Sequence, residues 1–165
     1  MPEFDARART LRTLAWLLPS LAVIALDQWT KVLAVAHLEL YTPEPLFPHL
    51  NLMLAHNTGA AFSFLADAGG WQRWFFATVA VVITTVMVVW IWRLERGQHW
   101  LACGLALVIG GAIGNLWDRV TLGYVVDFID FYWGNWHFPA FNFADTAITI
   151  GALMLIIDML RNPQP

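Results

Sequence analysis

Charged residues are scarce in this chain. Only 13% of its 165 residues are Asp, Glu, Lys or Arg, whereas a soluble domain usually has about a quarter. This scarcity argues against an ordinary water-exposed surface. The net charge of -3 also argues against a nucleic-acid partner, which would need a clustered basic face.

Cysteine and metal-ligand motifs are scarce as well. Cys103 is the single cysteine, so it has no internal disulfide partner, and its place in an apolar run indicates helix packing. The histidines are scattered without the spacing of metal ligands; they include His49, His56, His99 and His137. We therefore predict no metal site and no cofactor.

Long apolar runs are abundant instead. Hydrophobic residues make up 59% of the chain, and a membrane-spanning helix needs roughly 20 mostly apolar residues. We predict a single integral-membrane domain over residues 1–165, mainly α-helical, with four spans at about 13–31, 72–92, 98–118 and 141–160. The first apolar run follows arginines, as in a secretory signal, but no small-residue cleavage site closes it, so we interpret it as a retained span.

The basic residues predict the orientation of these spans. Three fall on one side, namely Lys31, Arg73 and Arg119, and six on the other, namely Arg7, Arg9, Arg12, Arg93, Arg96 and Arg161. Cytoplasmic loops carry an excess of Lys and Arg. We therefore expect both termini on the cytoplasmic side.

The outer segment between the first two spans has a strand pattern. Leucines alternate with other residues over positions 50–54, which is the period of a strand. Asn57-Thr58-Gly59 is a turn signal, and residues 60–65 are predicted to return as a second strand. We expect a small sheet on the outer membrane surface, with Phe62 and Phe64 facing lipid or substrate. Asn57 is either a turn residue or a clamp on the backbone of an extended peptide.

The second outer segment covers residues 118–139, and within it residues 133–137 are predicted to form an interfacial loop. Gly123, Gly134 and Pro139 interrupt the segment, and it is rich in tryptophan near its end. Asp130 is assigned to solvent or to loop structure.

The third span has two stripes with a period of four residues. Ala106, Gly110 and Gly114 form a small-residue stripe that favours close packing against a neighbouring helix. Gly111, Asn115 and Arg119 form an adjacent stripe that carries polar groups inward. We interpret Arg119 as structural: it pairs with Asp118 or orients other carboxylates.

Three further acidic groups lie near the outer ends of the spans. Asp127 and Asp145 are placed at similar depth, so they are candidates for a coupled acid–base pair of the aspartic-protease type. The alternative is helix capping by Asp145 and pairing of Asp127 with Arg119. Asp27 and Lys31 share a helix face and can pair, and the residues alone favour a plain ion pair at the interfacial end of the helix.

Taken together, these segments closely resemble the bacterial lipoprotein signal peptidase (signal peptidase II) family over nearly the whole chain. The matching segments are D-x-x-x-K at Asp27 to Lys31, N-T-G-A-A-F-S from Asn57, G-G-x-x-G-N-x-x-D-R from Gly110, V-D-F around Asp127 and F-N-F-A-D ending at Asp145. The family often has Ser after its second aspartate, where this chain has Thr146, which keeps the hydroxyl.

The resemblance implies an aspartic endopeptidase of the bacterial inner membrane, with its active site toward the periplasm. Its substrates would be prolipoproteins, cleaved before a cysteine that carries diacylglycerol. Asp127 and Asp145 would be catalytic, and the supporting or substrate-binding residues would be Asn57, Gly59, Asn115, Arg119 and Asn142, with Asp27 and Lys31 matching the first-helix element. Membrane lipids are the other expected partners, and we expect a monomer.

Two other classes of function compete with this interpretation. A small proton- or cation-coupled transporter subunit would use Asp27, Asp118 and Asp145 as an ion path, but the chain has no convincing internal repeat and its polar groups cluster at one depth. A lipid-binding assembly factor without catalysis would need only the outer sheet.

Overall fold

The computed structural model of this protein describes residues 2–59 and 69–162. In chain order, the elements are α1 Pro2–His37, β1 Glu44–Phe47, β2 Leu50–Asn57, α2 Gln72–Arg93, α3 His99–Thr121, β3 Val125–Trp133, β4 Trp136–His137 and α4 Phe143–Arg161. Each helix contains a window long and apolar enough to cross a bilayer. The predicted mainly helical membrane fold, with four such helices and a small sheet, is confirmed.

The order of the elements separates the two ends of the helical bundle. Strands β1 and β2 connect α1 to α2, and β3 and β4 connect α3 to α4, so the sheet lies at one end. The start of α1, the end of α4 and the short α2–α3 connection lie at the other end. Helix α1 is longer than the predicted span 13–31, because the Arg-, Ala- and Leu-containing sequence before residue 13 also favours a helix.

Helix α3 is the centre of the bundle and packs against the other three helices. Its predicted small-residue stripe faces α1: a Cβ added at Gly110 would lie 2.7 Å from the Cβ of Val23. The hydroxyl of Ser20 donates to the carbonyl of Ala106 at 2.8 Å in the same contact. The small residues of this stripe therefore let the two helix backbones approach closely.

Helix α4 approaches α3 through glycines on both helices. A Cβ added at Gly151 would lie 2.6 Å from the carbonyl oxygen of Gly104. Gly111 faces Ala144 and Ile148 of α4, so the second stripe of α3 is also in contact with a helix. The second stripe places Asn115 between α1 and α4, and it places Arg119 beside α2 and the turn at residues 57–59.

The sheet is antiparallel, with strand order β1-β2-β3-β4. Pro45 lies in β1, at an edge of the sheet, where a missing N–H is tolerated. The long strand β3, Val125–Trp133, was not predicted from the sequence. The signal was missed because aspartates at 127 and 130 interrupt the apolar pattern. The loop predicted over residues 133–137 is shorter in the structure, where a turn at Gly134 and Asn135 joins β3 to β4. The predicted return strand 60–65, with Phe62 and Phe64, lies outside the described residues.

Candidate active site

The ammonium group of Lys31 connects α1 to α3 in the interior of the bundle, in the half next to the sheet. Its Nζ lies 2.8 Å from Asp27 Oδ2 and 2.8 Å from Asp118 Oδ2, and it donates to Asn115 Oδ1 at 3.0 Å. An ammonium group has three N–H donors, so all three are used. Lys31 and both carboxylates are buried. The predicted pairing of Asp27 with Lys31 is confirmed, but it is not a plain ion pair at a helix end, because both residues are buried and belong to a larger polar network.

The two carboxylates beside Lys31 extend the network to the other elements. Asp27 Oδ1 accepts from the backbone N–H of Ala144, in the first turn of α4, at 2.9 Å. Asp118 Oδ2 accepts from the backbone N–H of Val126 on β3 at 3.1 Å. The side chain of Gln28 donates to Asp118 Oδ1 at 2.9 Å. One buried cluster thus fixes the starts of α4 and β3, the two elements that carry the candidate catalytic residues.

The expected pairing of Arg119 with Asp118 is wrong, because Lys31 occupies that carboxylate. The Arg119 guanidinium instead donates to the carbonyls of Gly59 at 3.0 Å and Asn115 at 3.4 Å. It also lies over the ring of Phe76, 5.2 Å from its centroid. Arg119 therefore joins the 57–59 turn, α2 and α3, consistent with the structural role predicted for it.

Asp127 is placed by the pairing of β2 with β3. Asn57 is opposite Val125, two residues from Asp127, so both side chains project from the same face of the sheet. Asn57 Nδ2 donates to Asp127 Oδ2 at 3.0 Å, and its Oδ1 accepts from the N–H of Gly59 at 3.0 Å. This contact supports the interpretation of Asn57 as a turn residue, and it adds an orienting role that the sequence did not indicate.

Asp145 is placed by the beginning of α4. Asn142 is the N-cap residue: its Oδ1 accepts from the N–H of Asp145 at 2.9 Å, and its own N–H donates to Asp145 Oδ2 at 3.2 Å. This reciprocal pattern is a capping box. Asn115 Nδ2 donates to the other oxygen, Asp145 Oδ1, at 2.7 Å. The predicted capping role is therefore present in the same carboxylate that is a candidate for catalysis.

Asn142 connects the two aspartates. Its Nδ2 lies 2.7 Å from Asp127 Oδ1, while its backbone N–H reaches Asp145. The residue is held in place because its neighbour Phe141 bonds to Ile129 of β3 in both directions, at 2.9 and 3.1 Å. Two carboxyl groups 18 positions apart thus share one asparagine as a common donor.

Burial and the nearby charge of Asp145 raise the pKa of Asp127 from 3.8 to about 7. The N–H groups of Asn57 and Asn142 and the charge of Lys31 act in the opposite direction, because they favour the ionised form. Near neutral pH a substantial fraction of Asp127 is therefore protonated. A pair of neighbouring carboxyl groups, one ionised and one protonated, can perform acid–base catalysis.

Asp130 was assigned to solvent or loop structure, and that assignment is wrong. It is 1% exposed, on β3, directly opposite Asn51 of β2. Its Oδ2 accepts from Asn51 Nδ2 at 2.8 Å, and its Oδ1 lies 2.8 Å from Nδ1 of His137 on β4. Asp130 therefore fastens three strands together, and it is not joined to Asp127 by any hydrogen bond among the described residues.

A cavity of about 630 Å³ opens beside Asp145, on the surface of α3 between α2 and α4. Its polar end is lined by Asn57, Asn115, Arg119 and Asp145. The remaining walls are mostly apolar; they include Phe76, Val79, Ile83, Ala112, Phe141 and Ile148. The shape suits a ligand with a long apolar part and one polar group. Within residues 2–59 and 69–162, no three His, Cys, Asp or Glu side chains converge as metal ligands.

Comparison with known sequences places these residues in a described family. The model of the family described as signal peptidase (SPase) II matches residues 20–161. The chain is 54% identical over 164 residues to the lipoprotein signal peptidase of Pseudomonas paraeruginosa, covering 98% of this chain and 95% of that protein. It is 57% identical over 151 residues to the lipoprotein signal peptidase of Pseudomonas putida, covering 90% and 88%.

The fold of this chain is also similar to that of solved structures. Two structures of bacterial membrane enzymes, determined by the in meso method, superpose with TM-scores of 0.80 and 0.78. They are 30% and 31% identical in sequence to this chain. The alignments cover 92% and 90% of this chain, and 93% and 94% of the solved chains.

The buried cation makes the site sensitive to loss of Lys31. We expect Lys31→Met to lower the free energy of unfolding by about 3–5 kcal/mol, because the carboxylates of Asp27 and Asp118 would lose their counter-charge in a buried place. Denaturant unfolding of the purified protein in detergent measures this loss. Arg7→Met is a matched control, since Arg7 is an exposed cation on the same helix; its effect should stay within about 0.5 kcal/mol.

A double variant tests whether charge is the cause. Lys31→Met with Asp27→Asn removes one positive and one negative charge together, so its loss should be smaller than the sum of the two single losses. Strict additivity, or a Lys31→Met protein as stable as Arg7→Met, would contradict the network described above.

Proposed function

The chain belongs to the signal peptidase II family, and we propose that Asp127 and Asp145 are its catalytic pair. The protein is a multi-pass membrane protease that processes lipoprotein precursors. Its activity is removal of the signal peptide by an aspartic mechanism. The transporter alternative loses its basis, because Asp27 and Asp118 are bound to Lys31 in a structural cluster rather than arranged along an ion path.

The main support for the proposal is that Asn142 donates hydrogen bonds to both aspartates. One residue donates to Asp127 through its side chain and to Asp145 through its backbone. This arrangement holds two carboxyl groups at one place and orients their oxygens. Because the two groups interact, they titrate as a pair, and the raised pKa of Asp127 lets the pair retain one proton near neutral pH.

The chemistry follows from one ionised and one protonated carboxyl. The ionised group takes a proton from a water molecule, and the oxygen of that water attacks the scissile carbonyl carbon. The protonated group donates a hydrogen bond to the carbonyl oxygen at the same time. When the tetrahedral intermediate collapses, a carboxyl group returns a proton to the leaving amine. The asparagines at 57, 115 and 142 keep both carboxyls in position during these steps.

The cavity supports a lipid-modified substrate. Its apolar walls on α2 and α4 fit the acyl chains of a diacylglyceryl-cysteine, and its polar end reaches Asp145. We place the cleaved bond just before that cysteine, where the peptide leaves the apolar walls for the carboxyl pair. The apolar area of the walls contributes to binding roughly in proportion to the surface that the lipid buries.

We place the protein in the bacterial inner membrane with both termini in the cytoplasm and the sheet on the periplasmic side. The support is the excess of arginines at the end of the bundle that carries the termini. A reporter enzyme fused after Pro165 should be active as a cytoplasmic marker. Activity of a periplasmic marker at that position would contradict the orientation.

The carboxyl pair is tested by nearly isosteric variants. Asp127→Asn and Asp145→Asn should each lower the single-turnover rate of cleavage of a lipidated prolipoprotein by ~10²–10⁴-fold or more. The double variant should be scarcely slower than either single variant, because the two groups act as one unit. Asp158→Asn makes the same chemical change on α4, far from the site, and should leave the rate unchanged. Thermal unfolding curves separate lost chemistry from lost folding. Near-normal cleavage by either single variant would exclude this mechanism.

The pKa of Asp127 predicts the alkaline side of the pH profile. The single-turnover rate should fall as pH rises through about 7, because the pair loses its remaining proton there. Asn57→Ala removes a donor that favours the ionised form, so the pKa of Asp127 should rise and the alkaline midpoint should move up by as much as about one pH unit.

Asn51→Ala is the matched control for that shift. Asn51 lies on the same strand but donates to Asp130, so its removal should leave the midpoint in place even if the protein becomes less stable. A downward shift in Asn57→Ala, or equal shifts in both variants, would show that Asn57 does not set the titration of Asp127.

A further inference from the structure

The end of the bundle opposite the catalytic pair contains a cavity that the peptidase reaction does not use. Its volume is about 510 Å³, within the range of ligand sites, and it lies between the first turns of α1 and the α2–α3 connection. Four arginines line it, together with one acidic residue; the lining includes Arg9, Arg12, Arg93, Arg96, Leu94 and Glu95. We call it the arginine cavity.

The described residues neutralise the positive charge of this cavity only in part. In the described part of the chain, Arg12, Arg93 and Arg96 have no carboxylate within ion-pair distance. Arg12 donates to the backbone carbonyl of Leu94, the C-cap residue of α2, which fixes its guanidinium at the cavity wall. That carbonyl carries only a partial charge, so the cavity retains a net positive field.

The chemistry of the walls selects an oxyanion. A guanidinium offers planar, paired N–H donors that match phosphate oxygens, and several guanidiniums around one cavity are typical of phosphate recognition. A basic peptide segment, such as the positively charged start of a signal sequence, would be repelled. The expected ligand is therefore a phosphate-bearing group.

The surroundings favour a lipid as the source of that group. Leu11 and Leu14, on either side of Arg12 along α1, are 60% and 55% exposed, and Trp92 is exposed on α2. A smaller cavity of about 250 Å³ shares Arg12 and continues inward along Trp16. The arginines therefore lie at the boundary between apolar, lipid-facing helix surface and water, where headgroups are found.

We propose that the arginine cavity binds the phosphate of an anionic phospholipid headgroup, with the acyl chains along the adjoining faces of α1 and α2. Basic pockets between spanning helices on the cytoplasmic side bind anionic headgroups, which are enriched in that leaflet. Such a lipid would bridge α1 to the α2–α3 connection and stabilise the bundle at the end remote from the active site. The proposal is independent of which residues perform the peptidase reaction.

The test compares lipids that differ only in headgroup charge. The purified full-length protein in detergent is titrated with phosphatidylglycerol, with phosphatidylcholine of the same acyl chains, and with inorganic phosphate. Native mass spectrometry counts bound lipid, and thermal unfolding reports stabilisation. Phosphatidylglycerol should bind at least about tenfold more tightly than phosphatidylcholine, because it alone lacks a cationic headgroup partner for its phosphate.

Two double variants with the same change in net charge locate the site. Arg93→Gln/Arg96→Gln should weaken phosphatidylglycerol binding about tenfold or more. Arg7→Gln/Arg161→Gln removes two arginines that do not line the cavity, and its affinity should be unchanged. If the first variant unfolds at a lower temperature without lipid, Arg93→Lys/Arg96→Lys should fold normally, and it should lose less affinity than the Gln variant because it keeps both charges but not the paired donors.

Three results would overturn the proposal. Equal loss of affinity in both Gln variants would indicate a diffuse surface charge. Equal binding of phosphatidylglycerol and phosphatidylcholine would exclude recognition of anionic charge. Displacement of the lipid by inorganic phosphate, with equal stabilisation, would identify a site for a soluble anion instead.

Discussion

The buried ammonium of Lys31 is the interaction on which the other polar contacts depend. It brings the carboxylates of Asp27 and Asp118 into the interior, and each of those carboxylates then accepts a backbone N–H from a different element, Ala144 of α4 or Val126 of β3. A buried charge is very costly unless it is paired and fully hydrogen-bonded. The starts of α4 and β3 are therefore fixed relative to α1 and α3.

The proposed catalytic pair lies at the rim of this cluster rather than at its centre. Asn115 accepts from Lys31 and donates to Asp145, so one amide joins the structural charges to the proposed chemistry. The arrangement separates two kinds of carboxylate in one site. Asp27 and Asp118 share the positive charge of Lys31, whereas Asp127 is held by neutral amides near a second acid, and its pKa is raised to about 7. The difference in partners explains why only one pair is suited to proton transfer.

The capping role of Asp145 is compatible with the catalytic role proposed for it. A capping box requires an acceptor oxygen at N3, and the same box brings the N-cap side chain toward the neighbouring strand. Asn142 uses this position to reach Asp127. The helix terminus thus supplies the geometry of the site, and the two explanations that the sequence left open describe the same set of hydrogen bonds.

The sequence by itself determined the features that depend on local periodicity. Long apolar runs predicted the four spans. The spacing of Ala106, Gly110 and Gly114 predicted a close helix contact, and short motifs indicated the family and its two aspartates. Only the tertiary structure decided which polar side chains pair with each other. Lys31 and Asn115 are 84 positions apart, and nothing in their local sequences selects Asp118 for Lys31 rather than for Arg119. The burial of Asp130 likewise requires Asn51 on a strand 79 positions away. The packing of the elements determines these pairings. An unpaired charge costs free energy only once the folded chain has buried it.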